Sequence, residues 1–325
     1  MSKKLHLPDI VFVFLLPGFL MVFLQMETVA QEAAGVNTLE PVRVFILAGQ
    51  SNMEGAGIIG GGANQRNDGK GTLDFLVKKS ATRQNYQHTM DSAGNWRVRS
   101  DVWIWYLGRK GGLTVGYGAK KDRIGPEFQF GHSVGTAFDE PVLLIKVAWG
   151  GKSLAKDFRP PSSGGEVGSY YLEMLKHIES VLNNLSSDFP ELANRKSVLN
   201  GFGWHQGWND GCSKDQTAEY EVNLVNFIKD VRHDLNAPKL PFVIANSGFA
   251  GWDQKVDRRL GIMKAQANAA KRPEFSGNVK CIETRDFYRA EDVSPSRQRY
   301  HWNGNAETYC LIGESMATAM VQMVK

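Results

Sequence analysis

The run Phe45-Ile46-Leu47-Ala48-Gly49-Gln50-Ser51-Asn52-Met53-Glu54-Gly55 decides the reading of this chain. An apolar stretch that starts at Val42 stops at a glycine, and a serine follows one residue later. Short apolar runs closed by turn residues read as buried strands of a parallel sheet. Gly49 supplies the sharp turn. A helix N-terminus or turn at that point would aim backbone N–H groups at whatever Ser51 attacks. A serine alone is a weak nucleophile and needs a base elsewhere in the chain. The same residues also fit a helix N-cap at Ser51.

Outward from this run, short apolar segments alternate with helical patterns. The predicted strands are 42–47, 142–147, 198–204, 241–245 and 279–283. The predicted helices are 170–185, 218–235, about 256–271 and 306–324, each with apolar residues at i, i+3, i+4 spacing. Strand–helix alternation predicts an α/β fold: a three-layer α/β/α sandwich around a parallel sheet, flavodoxin-like, with one domain over residues 41–325. Two polar, glycine-containing segments, 58–113 and 152–168, read as irregular loops on the binding face. The tryptophans of the first, Trp96, Trp103 and Trp105, fit either sugar-stacking surfaces or core positions. Glu283, Arg285 and Asp286 end the last strand on the same face. Pro126-Glu127 fits a first helical turn, with Glu127 as its N-terminal charge.

Composition is that of a globular enzyme, with 42% hydrophobic and 22% charged residues. A net charge of +4, spread along the chain, gives no support for nucleic-acid binding. Lys3 and Lys4, an apolar run from Ile10 to Leu24 and small residues at Thr28-Val29-Ala30 predict a signal peptide over residues 1–30 and export to the periplasm or medium. The alternative is an uncleaved N-terminal membrane anchor, against which the run is short and interrupted by Pro17. No stable membrane partner is expected after cleavage. Cys212, Cys281 and Cys310 form no CxxC pair, so no metal site is expected.

Gly49-Gln50-Ser51-Asn52-Met53-x-Gly55 closely resembles the first block of the SGNH hydrolases, in their sialate O-acetylesterase-like branch, which is similar to carbohydrate esterase family six. Later blocks follow in order through most of the chain. Val147-Ala148-Trp149-Gly150-Gly151-Lys152-Ser153 resembles the second block. There the resemblance implies a glycine N–H, of Gly150 or Gly151, in the oxyanion hole with that of Ser51. Lys152 stands where the family usually has threonine. Gly203-Trp204-His205-Gln206-Gly207-Trp208-Asn209-Asp210 resembles the third block, which implies the Gln206 amide as a further oxyanion donor; Trp208 replaces the family's usual glutamate. His205 reads as structural. Arg299-Tyr300-His301-Trp302-Asn303-Gly304-Asn305 resembles the last block and makes His301 the base, with Asn305 as N-cap of the following helix. Gln50, Asn52, Trp208 and Asn209 are expected to contact substrate.

The third triad member is open. Gln298 stands three residues before His301, where many such enzymes have aspartate. A carboxylate is expected to orient the imidazole. Asp292 and Asp210 are equal candidates, with Glu291 beside the former. A Ser–His dyad oriented by a backbone carbonyl is the alternative. The resemblance implies a serine esterase that hydrolyses acetyl esters on carbohydrates through an acetyl-enzyme, with no cofactor. Two other readings are a carbohydrate-binding domain that has lost catalysis and a lipid or thioester acyl-hydrolase on the same fold.

Overall fold

The computed structural model describes residues 39–60 and 66–325. The expected signal peptide, residues 1–30, lies outside them. No helix of the described residues is long and apolar enough to cross a membrane.

Seven strands make the main sheet: β1 (Val42–Gly49), β2 (Val102–Tyr106), β3 (Arg109–Gly112), β4 (Val142–Ala148), β5 (Ser197–His205), β6 (Phe242–Ala245) and β7 (Val279–Ile282). Their order is β3-β2-β4-β1-β5-β6-β7, parallel throughout except for the β2–β3 hairpin. The subset β4-β1-β5-β6-β7 has the flavodoxin-like strand order, in which the chain leaves β1 in both directions and opens a crevice at the carboxyl ends.

The helices are α1 (Ser51–Glu54), α2 (Leu73–Lys78), α3 (Pro126–Ala137), α4 (Ser169–Asn183), α5 (Lys214–Asp234), α6 (Asp257–Ala270) and α7 (Ala306–Val324). β1 shows why the layers form. Its alternate residues Val44, Ile46 and Ala48 bury against Tyr171 and Ile178 of α4 and Phe227 of α5. Phe45 and Leu47 bury on the other face, with Phe130 of α3 and Met316 of α7. The expected three-layer sandwich is therefore present.

One expectation is corrected. The segment 58–113 is not wholly irregular: its end forms β2 and β3, which extend the sheet beyond β4. Trp103 and Trp105 lie in β2 at 9% and 8% exposure, so they are core residues and not sugar platforms. Trp96 is half-buried against the small cluster around α2. The segment 152–168 is largely turns, as expected, yet it buries Leu154 and Phe158 in the core.

Candidate active site

Gly49 ends β1 with φ +152, and a Cβ there would stand 2.2 Å from the His205 carbonyl oxygen. Only glycine allows β1 and β5 to approach so closely at this point. The chain then turns straight into α1. Gln50, not Ser51, is its N-cap, and its carbonyl accepts from Met53 N–H and Glu54 N–H. Ser51 is thus the first helical residue, and its hydroxyl is not spent on capping.

That hydroxyl meets His301. Ser51 Oγ lies 3.0 Å from His301 Nε2, across 250 residues of sequence. The His301 loop is held by strained and buried neighbours. Trp302 and Asn303 adopt left-handed backbone, φ +51 and +55, a conformation costly for non-glycine residues. Trp302 is fully buried, and Asn303 donates to the Tyr288 hydroxyl and the Arg289 carbonyl. Asn305 caps α7 as expected, accepting from Glu307 and Thr308 N–H. Asn52 ties the nucleophile turn to this loop: it donates to the Tyr300 carbonyl and accepts from the Tyr309 hydroxyl. Asn52 is buried at 4% exposure, so it positions the pair and does not line the cavity.

The pair opens into a cavity of about 270 Å³ lined by Gln50, Ser51, Glu54, Gly150, Gly151, Trp208, Tyr300 and His301. A larger groove of about 540 Å³ runs between α6 and α7 over β7, but it contains no nucleophile–base pair. Both second-block glycines therefore sit where they were expected. A Cβ on Gly150 would stand 3.1 Å from Glu54 Oε2 and 3.9 Å from Ser51 Cβ, so this backbone closes directly on the serine.

Other expected placements also differ. Gln206 does not line the cavity. Its Nε2 donates to Asp210 Oδ2 at 2.5 Å and to the Lys152 carbonyl at 3.0 Å, and its Oε1 accepts from the Tyr220 hydroxyl. Asp210 does not bond His301. It is fully buried and accepts from the N–H groups of Leu154 and Ala155 as well as from Gln206, fastening the second block to the third. Burial pushes its carboxyl up to about 6, against those hydrogen bonds. Asp292 is exposed and makes no ion pair, while Glu291 faces Arg299. Among the described residues no carboxylate pairs with His301, and burial alone draws its imidazole below the usual histidine range. A neutral ring, able to take a proton, therefore persists to lower pH than in a solvated histidine.

Asn209 donates to the Gly151 carbonyl and so braces the Gly150–Gly151 turn. Gln50 is the residue whose importance the motif understated. Its Oε1 accepts from Gly207 and Asn209 N–H, and the residue borders the cavity. Its place before the serine gave only a general hint of contact. Glu54 was not foreseen at all. Its carboxyl accepts from the Tyr106 hydroxyl, and burial raises its pKa against that bond and the nearby Lys146. His205 is structural as expected: it is buried, bonds the Ala245 carbonyl through Nδ1, and is driven by burial down to about 4, hence neutral. The three cysteines are free thiols, and no group of metal-ligating side chains occurs among the described residues.

Comparison with known proteins gives the family and the fold. The family described as carbohydrate esterase, sialic acid-specific acetylesterase, matches residues 41–322. A probable carbohydrate esterase of Arabidopsis thaliana is 24% identical over 233 residues, 69% of this chain and 76% of that protein. The X-ray structure of the Arabidopsis protein superposes with a TM-score of 0.55 at 19% identity, covering 88% of this chain and all of that one. A carbohydrate acetylesterase from Xanthomonas citri gives 0.53 at 14% identity, covering 86% of this chain and 56% of that chain. At these identities the two structures support the fold.

Proposed function

Because the chain belongs to the carbohydrate esterase family described as sialic acid-specific acetylesterase, we propose that it is a serine esterase that removes acetyl groups from carbohydrates through an acetyl-enzyme. The observation that carries this reading is the 3.0 Å contact between Ser51 Oγ and His301 Nε2 at the cavity. In the first step Ser51 Oγ bonds the acetyl carbon while His301 Nε2 takes its proton. The N–H groups of Ser51 and of Gly150 or Gly151 receive the oxyanion. The amide of Gln50, which lines the cavity, takes the place expected for Gln206. Collapse breaks the bond to the sugar oxygen, and His301 returns the proton to it. Water, deprotonated by His301, then attacks the acetyl carbonyl, releasing acetate and free Ser51.

No carboxylate takes part in this scheme, so Ser51 and His301 act as a dyad. Trp208 contacts the substrate from the cavity wall. The cavity, at about 270 Å³, suits a short acyl group. Rates on acetylated sugar and on aryl esters of increasing acyl length test the substrate class. Acetate is expected to be cleaved at least about tenfold faster than octanoate, since misfit of a few methylenes is worth that much. Equal rates, or a preference for octanoate, would turn the reading toward a lipid acyl-hydrolase. We also propose export, on the strength of residues 1–30; a mature protein beginning at Gln31 is the expected N-terminal sequence, and an intact Met1 in the secreted fraction would refute cleavage.

A further inference from the structure

Trp252 is 59% exposed, the most exposed tryptophan among the described residues. It lies in the loop after β6, at the carboxyl ends of the strands, the face that also carries Ser51. Its indole is not loose. The Arg285 guanidinium carbon stands 3.6 Å from the ring centroid, and the indole N–H donates to Asp286 Oδ1 at 2.8 Å. Arg285 is fixed in turn by a two-point pairing with Glu283. One face of the indole is therefore covered by a planar cation, and the other is presented to solvent in a fixed orientation.

A cation over an exposed ring adds only about 0.5–1 kcal/mol to stability, and the same contact holds the indole in one orientation. That fixed surface suits a sugar. Pyranose rings offer an apolar C–H face to an aromatic surface, and hydroxyls at their edge to carboxylates and guanidinium groups. The platform also reaches the catalytic loop. Tyr288, against which Gly251 packs, accepts from Asn303 two residues beyond His301. β6 is two strand spacings, about 10 Å, from β1, and the Trp252 turn follows β6 at the same end of the sheet as Ser51.

We infer that Trp252, with Arg285 and Asp286, forms a distal subsite that stacks a sugar ring of an acetylated polysaccharide bound across the carboxyl ends of β1, β5 and β6. This rests on the carbohydrate reading above and adds that the substrate is a chain, not a single sugar.

The test compares wild type, Trp252→Ala and Trp252→Phe on an aryl acetate and on soluble acetylated xylan, pectin and mannan. A parallel assay measures binding of the same polymers to Ser51→Ala with and without Trp252→Ala. Trp252→Ala is expected to leave aryl acetate turnover within twofold, to raise KM for at least one polymer about tenfold, as loss of one stacked ring implies, and to weaken binding equally. Phenylalanine is expected to restore most of it. Unchanged polymer KM and binding, or an equal fall on aryl acetate, overturns the subsite. Failure of wild type to cleave the aryl acetate or any polymer, while Ser51→Ala still binds a polymer through Trp252, would sink the esterase assignment and leave the subsite standing.

Discussion

Ser51→Ala is expected to lower acetate-ester cleavage by about 10⁴-fold or more while the fold survives. Both halves follow from local structure. Gln50 caps α1 and keeps its bonds to Met53 and Glu54 whatever stands at position 51. Alanine is also a better helix residue than serine. The change in stability is expected within about 0.5 kcal/mol. The hydroxyl, by contrast, has one partner of consequence, His301 Nε2. His301→Ala is expected to cost a similar factor, and the double variant little more, since nucleophile and base act as a unit. Acetate release together with a thermal melt checks this. Ser51→Ala within tenfold of wild type would mean another residue attacks the ester, and His301→Ala within tenfold would mean another group takes the proton.

Lys146→Met is expected to destabilise the protein by about 3–5 kcal/mol, the cost of stranding a buried charge. Lys146 is fully buried in the centre of β4. Its ammonium donates to Glu127 Oε2 at 2.7 Å, to the Glu54 carbonyl at 2.6 Å and to the Tyr117 carbonyl at 2.8 Å, so all three protons are placed. Burial pulls Lys146 down and pushes Glu127 up, and their mutual attraction opposes both. Methionine fills the volume but leaves Glu127 Oε2 and two carbonyls without a donor, with only Gly125 N–H still bonded to the carboxylate. Glu127→Gln keeps a hydrogen-bonding group and is expected to cost less. Because the Glu54 carbonyl ends the helix that begins at Ser51, Lys146→Met is also expected to lower kcat. Denaturant unfolding at fixed pH measures the stability loss; one under 1 kcal/mol would show that the pair is not held as described.

The sheet core and the Ser51–His301 pair were legible because each is announced locally. Five strands are short, mainly apolar runs, Gly49 marks a turn that only glycine can make, and Asn305 caps a strongly periodic helix. β2 and β3 escaped notice for physical reasons. Val102–Tyr106 is apolar on both faces and aromatic, so it fitted a ligand surface as well as core positions. Arg109–Gly112 has no apolar signal and pairs only as the antiparallel arm of a hairpin. Glu127 read as a helix-start charge because its partner lies in another element, in a strand whose other residues are apolar. The same limit governed the site. Motif order places Gln206 and Asp210 near Ser51, but which way an amide turns is decided by Tyr220 and by the Leu154–Ala155 backbone, distant in sequence. Asp292 was attractive by proximity along the chain, and the loop instead leaves it facing solvent.

In the proposed dyad a neutral His301, without a carboxylate partner, activates Ser51. The rate of covalent modification by a fluorophosphonate, followed against pH with the adduct mapped by peptide mass, reads this out. One adduct on Ser51 is predicted, absent in His301→Ala, with a rate that rises with pH through an ionisation below the ordinary histidine value. An adduct elsewhere, no adduct, or a rate insensitive to loss of His301 would contradict it.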